Sequence, residues 1–124
     1  MKRGLTLLLT CLAVLQVGCA SRERSVTLIG AFPGAGLGSV AARAMDEADR
    51  REAARALEST RDGQSASWRN RATGDSFALT PTLAAEQCGR TCREFILEAS
   101  VGGRVDKIFA SACRQDDGNW RFPG

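Results

Sequence analysis

Two β-forming runs, CREFILEASV from Cys92 and RVDKIFASACR to Arg114, are separated only by Gly102 and Gly103. A two-residue glycine loop admits the positive φ angles of a tight hairpin, and so fixes the register of the strands it joins. Counting outward, Val101 faces Arg104, Glu98 faces Lys107, Leu97 faces Ile108, Ile96 faces Phe109, and Cys92 faces Cys113. Glu98–Lys107 is then an opposite-charge pair across the strands. Pair types alternate outward from the hydrogen-bonded pair at the loop. Cys92–Cys113 therefore falls in the non-hydrogen-bonded class, with Cα atoms ~4.5 Å apart. That is inside the ~4.4–6.8 Å range that a disulfide accepts. The count predicts a cross-strand Cys92–Cys113 bridge.

Cys88 sits four residues before Cys92, in a chain without histidine. A structural zinc site wants four ligands, commonly Cys and His, which three cysteines do not supply. Redox motifs of the Cys-x-x-Cys kind have two intervening residues, and Cys88-Gly-Arg-Thr-Cys92 has three. No metal or cofactor is expected. A local Cys88–Cys92 bridge is the alternative to Cys92–Cys113. In the favoured pairing Cys88 is left as an unpaired thiol, free to stay idle or to bridge two chains.

The rest of the chain divides by period. VAARAMDEADRREAARALES, residues 40–59, is rich in strong helix formers. Asp46–Arg50 and Glu47–Arg51 have the i,i+4 spacing of acid-before-base pairs. Ala41, Met45, Ala48, Ala56 and Leu57 offer an apolar face, and Gly63 a stop. Beyond Gly63 the pattern is that of strands. Residues 64–71 alternate around Trp68, 72–75 read as a turn, and SFALTPT forms a second strand. Residues 83–91 read as a connector into the Gly102–Gly103 hairpin. Asp116-Asp117-Gly118-Asn119 turns into a last short strand, Trp120–Phe122. The expected fold is α+β: one N-terminal helix over 40–59, then a four- to five-stranded antiparallel sheet over 64–122, stapled by a disulfide. Its core candidates are Trp68, Phe77, Phe95, Leu97, Ile108, Phe109, Trp120 and Phe122.

The N-terminus has a different character. Met-Lys-Arg precedes an uncharged apolar run from Leu5 to Val17, then Gly18 and Cys19. This order reads as a secretory signal peptide over residues 1–18. The run is shorter than the ~20 residues of a membrane-spanning helix. Leu15-Gln16-Val17-Gly18-Cys19 resembles a bacterial lipobox, with a small residue before the cysteine and Gln16 where leucine is usual. The resemblance implies that Cys19 becomes the acylated first residue of the mature chain, carrying diacylglyceryl and a further fatty acid such as palmitate. Residues 19–39 would form a lipid-anchored, Gly-rich tether, in which Gly30, Gly34 and Gly38 keep a four-residue spacing interrupted by Pro33. Small residues so spaced let membrane helices approach closely, but Pro33 interrupts a helix, so a flexible linker is the simpler reading. Export makes a disulfide permissible. Of the chain's 17 basic residues, Lys2 and Arg3 leave with the signal, so 15 basic face 14 acidic side chains. That balance lacks the basic excess of nucleic-acid binders.

MDEADRREAARALE, GQSASWRN with Thr73-Gly74 beyond it, TPT, CREF, Gly102-Gly103 and ACRQDDGNW together resemble the surface-antigen domain of the rickettsial 17 kDa antigen superfamily. The resemblance covers roughly residues 30–122, and the domain is taken as 40–124. Where the family has Asn-Pro after the tryptophan, this chain has Asn70-Arg71. The family's two characteristic cysteines correspond to Cys92 and Cys113, and Cys88 is an addition. The resemblance implies an outer-membrane lipoprotein with a structural or interaction role, not an enzyme. Its partners would be the membrane, through the N-terminal lipid, and an envelope protein or a second copy of the chain. Two other classes are distinguishable. A soluble periplasmic binding or inhibitor module would expose aromatic rings around Trp68 or Trp120. A thiol-dependent enzyme would set Cys88 in an electropositive pocket.

Overall fold

A computed structural model of the chain describes residues 26–32 and 40–123. The expected signal peptide, Cys19, and Pro33, Gly34 and Gly38 of the glycine-spaced stretch lie outside these residues. The elements run β1 (Leu28–Ile29), α1 (Val40–Ala44), α2 (Glu47–Ser59), β2 (Ala66–Arg69), β3 (Ser76–Gln87), β4 (Arg90–Val101), β5 (Arg104–Arg114) and β6 (Trp120–Arg121). The fold is mostly β. Among the described residues, six strands form one sheet in the order β1-β6-β5-β4-β3-β2.

This corrects the expectation of one helix and a four- to five-stranded antiparallel sheet. The extra strand is β1, which pairs parallel with β6 through Leu28↔Trp120 and Ile29↔Arg121. Only two residues long, β1 shows no alternation to read. It is held by burial instead, since Leu28 is 1% exposed. Arg50 fastens it: its Nη1 donates to Leu28 O at 2.8 Å and Gly30 O at 3.1 Å, and the guanidinium lies 5.2 Å from the Phe32 ring centroid. The expected Asp46–Arg50 pair gives way to this contact, while Glu47–Arg51 forms at a loose 3.9 Å.

The helix is also split. Asp46 is extended (φ −92°, ψ −171°) and accepts from the Asp49 amide, while the Asp49 carboxylate accepts from the Asp46 amide. This reciprocal cap starts α2 at Glu47 and ends α1 before it.

Of residues 83–91, expected as a connector, 83–87 and 90–91 are strand. β3 and β4 form a long hairpin closed by Cys88-Gly89, with Gln87↔Arg90 as the last pair. Both turn residues have positive φ, 51° and 74°. That is the pattern of a type I′ turn, for which glycine at the second position is well suited. The β4–β5 register is the one counted from the sequence, Val101↔Arg104 through Cys92↔Cys113.

One sheet face meets the helices. Phe77, Leu79, Phe95, Leu97, Ala99, Ile108, Ala112 and Trp120 join Ala53, Ala54, Ala56 and Leu57 of α2 in a single buried cluster. Alanines let the helix approach the sheet closely, so few large side chains fill the space between. Phe109, expected in the core, is 69% exposed. It pairs with Ile96, whereas Phe95 and Leu97 point the other way, and strand alternation forbids neighbours 108 and 109 from sharing a face.

Candidate functional site

The most polar part of the buried interior is the seam where the start of α2 meets β2 and its following turn. Asp49 is 1% exposed and Asn70 6%. Trp68 Nε1 donates to Asp49 Oδ1 at 3.0 Å. Asn70 Nδ2 donates to Asp49 Oδ2 at 2.9 Å and to Asp46 Oδ2 at 2.8 Å. The amide oxygen of Asn70 accepts from the Ala72 and Thr73 amides at 2.9 and 3.1 Å, shaping the β2–β3 turn. One asparagine therefore locks the turn to itself and to the helix cap. A buried carboxylate survives because three donors satisfy it.

A cleft of about 550 Å³ opens over this seam, lined by Arg51, Arg55, Arg69 and Arg71 beside Asp46, Glu52 and Trp68. Arg55 is committed to Glu52 at 2.7 Å. The polar side-chain atoms of Asp46, Asp49, Trp68 and Asn70 at its floor are engaged in the bonds that position the helix. Among the described residues, no three His, Cys, Asp or Glu side chains gather in a way that would hold a metal ion.

The Asn70 amide, then the Asp49 backbone N–H, holds the Asp46 carboxyl below its usual value of 3.8, against an opposing push from desolvation. A lowered folded pKa adds stability above the unfolded value and withdraws it as pH falls through the folded one. Asp46 is expected to titrate below pH 3.8 in a carboxyl-carbon NMR titration. Asn70→Ala should move its midpoint back up towards that value. A midpoint unmoved by the substitution would contradict the assigned cause.

The far end of α2 is fastened by side chains from the sheet. Arg93, only 11% exposed, donates to Leu57 O and to Asp62 Oδ1, both at 2.6 Å, satisfying the helix C-terminus. Arg114 pairs with Glu58 and lies over the Trp120 ring, whose Nε1 donates to Glu58 Oε1 at 3.3 Å. Sequence reasoning missed Asp49, Asn70 and Arg93. Asp49 carried a signal in the Asp-x-x-Asp spacing before the alanine run, which is a capping-box pattern.

Cys92 and Cys113 are joined by a disulfide, with Cα atoms 4.0 Å apart, closer than the ~4.5 Å expected from the pair class. Cys88 is free and exposed at the β3–β4 turn. It is not brought near either partner. Glu98 and Lys107 form the cross-strand ion pair at 3.3 Å, half-exposed on the face away from the helices.

Residues 55–121 match the family described as 17 kDa outer membrane surface antigen. The 17 kDa surface antigen of Rickettsia bellii (strain RML369-C) is 42% identical over 82 residues, covering 62% of this chain and 52% of that protein. That of Rickettsia felis has the same identity and coverage. That of Rickettsia prowazekii is 39% identical over 81 residues, 61% of this chain and 51% of its own length. The chain spans about half the length of the curated relatives it matches. No solved structure matches it. The family match runs from within α2 to the end of β6 and takes in Trp68, Asn70, Arg93 and both bridged cysteines. The chain belongs to the 17 kDa outer membrane surface antigen family.

Proposed function

We propose that this protein is a bacterial envelope lipoprotein, held at the outer membrane by acyl chains on Cys19, with a structural or interaction role and no catalytic one. The observation that carries the reading is the family match: the family described as 17 kDa outer membrane surface antigen, and relatives named 17 kDa surface antigen, align with the disulfide-stapled sheet. The motif Leu15–Cys19 ahead of that domain supplies the anchor. Acyl chains bury ~0.8 kcal/mol per methylene, so two or three hold a domain firmly without a spanning helix. Among the described residues no helix is long and apolar enough to cross a membrane.

The geometry lends less support to the other classes. Trp120 is fully buried, and Trp68 is half-buried, stacked on Phe77 and bonded to Asp49, so neither ring heads an exposed aromatic patch. Cys88 lies exposed at the tip of a hairpin.

Cys19→Ser is expected to abolish acylation and leave an unprocessed precursor, read by labelled-fatty-acid incorporation and membrane fractionation. A Cys19→Ser protein that still fractionated as mature outer-membrane protein would end the anchor reading.

A further inference from the structure

Among the described residues, the strands place their turns at one end of the sheet or the other. At one end lie the Cys88–Gly89 turn, the Gln115–Asn119 turn, and Val26, where the described chain begins. Thr27 N donates to Asn119 Oδ1 at 3.0 Å, and a side chain added at Gly118 would meet Val26 Cγ1 at 3.5 Å. Arg90, at the root of β4, pairs with Asp116 at 3.2 Å. At the opposite end lie Gly102–Gly103, the β2–β3 turn with Arg71, and the start of α2.

From this placement we propose that the end led by the β3–β4 arm, Thr82–Arg90, is the surface of the domain that rests on the lipid bilayer. The proposal rests on the Cys19 anchor. Seven residue steps separate Cys19 from Val26, and a fully extended chain spans at most ~3.6 Å per residue, so the tether reaches no further than ~25 Å. From the level of Val26, the opposite end is a full β5 away: 11 residues at ~3.3 Å, or ~36 Å. The tether is too short to bring Gly102–Gly103 down to the lipid with the domain inverted. Of the two ends of the sheet, the attached one is therefore the one within reach of the membrane.

That end suits a headgroup surface. Residues 82–89 are exposed throughout, and Leu83 is 54% exposed beside Ala84 and Ala85. Glu86 is the arm's acidic group, and its carboxylate accepts from the Thr91 hydroxyl at 3.0 Å across the hairpin. The arm is braced at its base, since Ala85 lies opposite Cys92 of the disulfide.

Cys88 gives the test a native handle. The mature protein, isolated from membranes and weighed for acyl chains, is mixed with phosphatidylethanolamine–phosphatidylglycerol vesicles and labelled at Cys88 with a thiol-reactive fluorophore. A Cys88→Ser/Arg71→Cys variant carries the same label at the opposite end. With quencher-bearing lipids, the Cys88 label is expected to lose most of its emission and the Arg71→Cys label to keep it. Equal quenching at both sites, or none at Cys88, in protein that is acylated by mass and floats with the vesicles would overturn the orientation alone. Protein that carries no acyl mass and fails to float would overturn the anchor reading and the orientation with it.

Discussion

Asp49→Ala is expected to destabilise the domain by about 3 kcal/mol, read from the midpoint of urea unfolding at neutral pH. The carboxylate accepts from the Trp68 indole, the Asn70 amide and the Asp46 backbone N–H. Removing it strands those donors in a seam where Asn70 is buried and Trp68 half-buried. Bonds to a charged acceptor are worth ~1.5–3 kcal/mol each but are not additive in one network, which sets the figure below their sum. The N-terminal cap of α2 loses half of its reciprocal pair as well. Asp49→Asn keeps the shape and one acceptor oxygen, so it should cost clearly less than the alanine. Equal stability of Asp49→Ala and the parent chain would mean that the seam does not hold the helix.

Loss of the Cys92–Cys113 bridge should cost about 3 kcal/mol, by reduction or by the Cys92→Ala/Cys113→Ala double variant. The bridge closes a loop with a sequence separation of 21. A loop of that size removes chain entropy from the unfolded state worth ~3 kcal/mol, and domains of this size have little reserve. Thermal unfolding should shift down on reduction in the parent chain and stay put in the double variant. The Asp49 seam and the bridge lie at opposite ends of the sheet, so their effects should add. If reduction left the parent's unfolding midpoint unchanged, the bridge would contribute nothing to stability.

The hairpin from Cys92 to Cys113 was legible because two glycines admit one tight turn, and counting does the rest. The second hairpin was harder to read. Its turn is Cys88-Gly89, and a cysteine at positive φ is not a turn signal, so the flanking LAAEQ and RT looked like a connector. The parallel β1 was hidden for another reason. Two residues have no period, and their partner, Trp120–Arg121, lies 92 positions away. Phe109 was misplaced by composition although register already excluded it, since Phe95 and Leu97 fix which face of β4 is buried. Asn70 and Arg93 look like ordinary surface residues in sequence. Each gains its role from a helix terminus that only the packed structure brings to it. Cys88 illustrates the converse, a residue conspicuous in sequence that the fold leaves free and exposed.

The central claim is an acylated, singly bridged envelope domain, and intact mass of the mature protein tests it most directly. The protein is isolated from membranes and alkylated before and after reduction. The expected mass begins at Cys19 and includes its acyl chains, with one thiol modified before reduction and three after, from Cys88 and then Cys92 and Cys113. A mass that retains residues 1–18 without acyl chains, or three thiols open to alkylation before reduction, would contradict it.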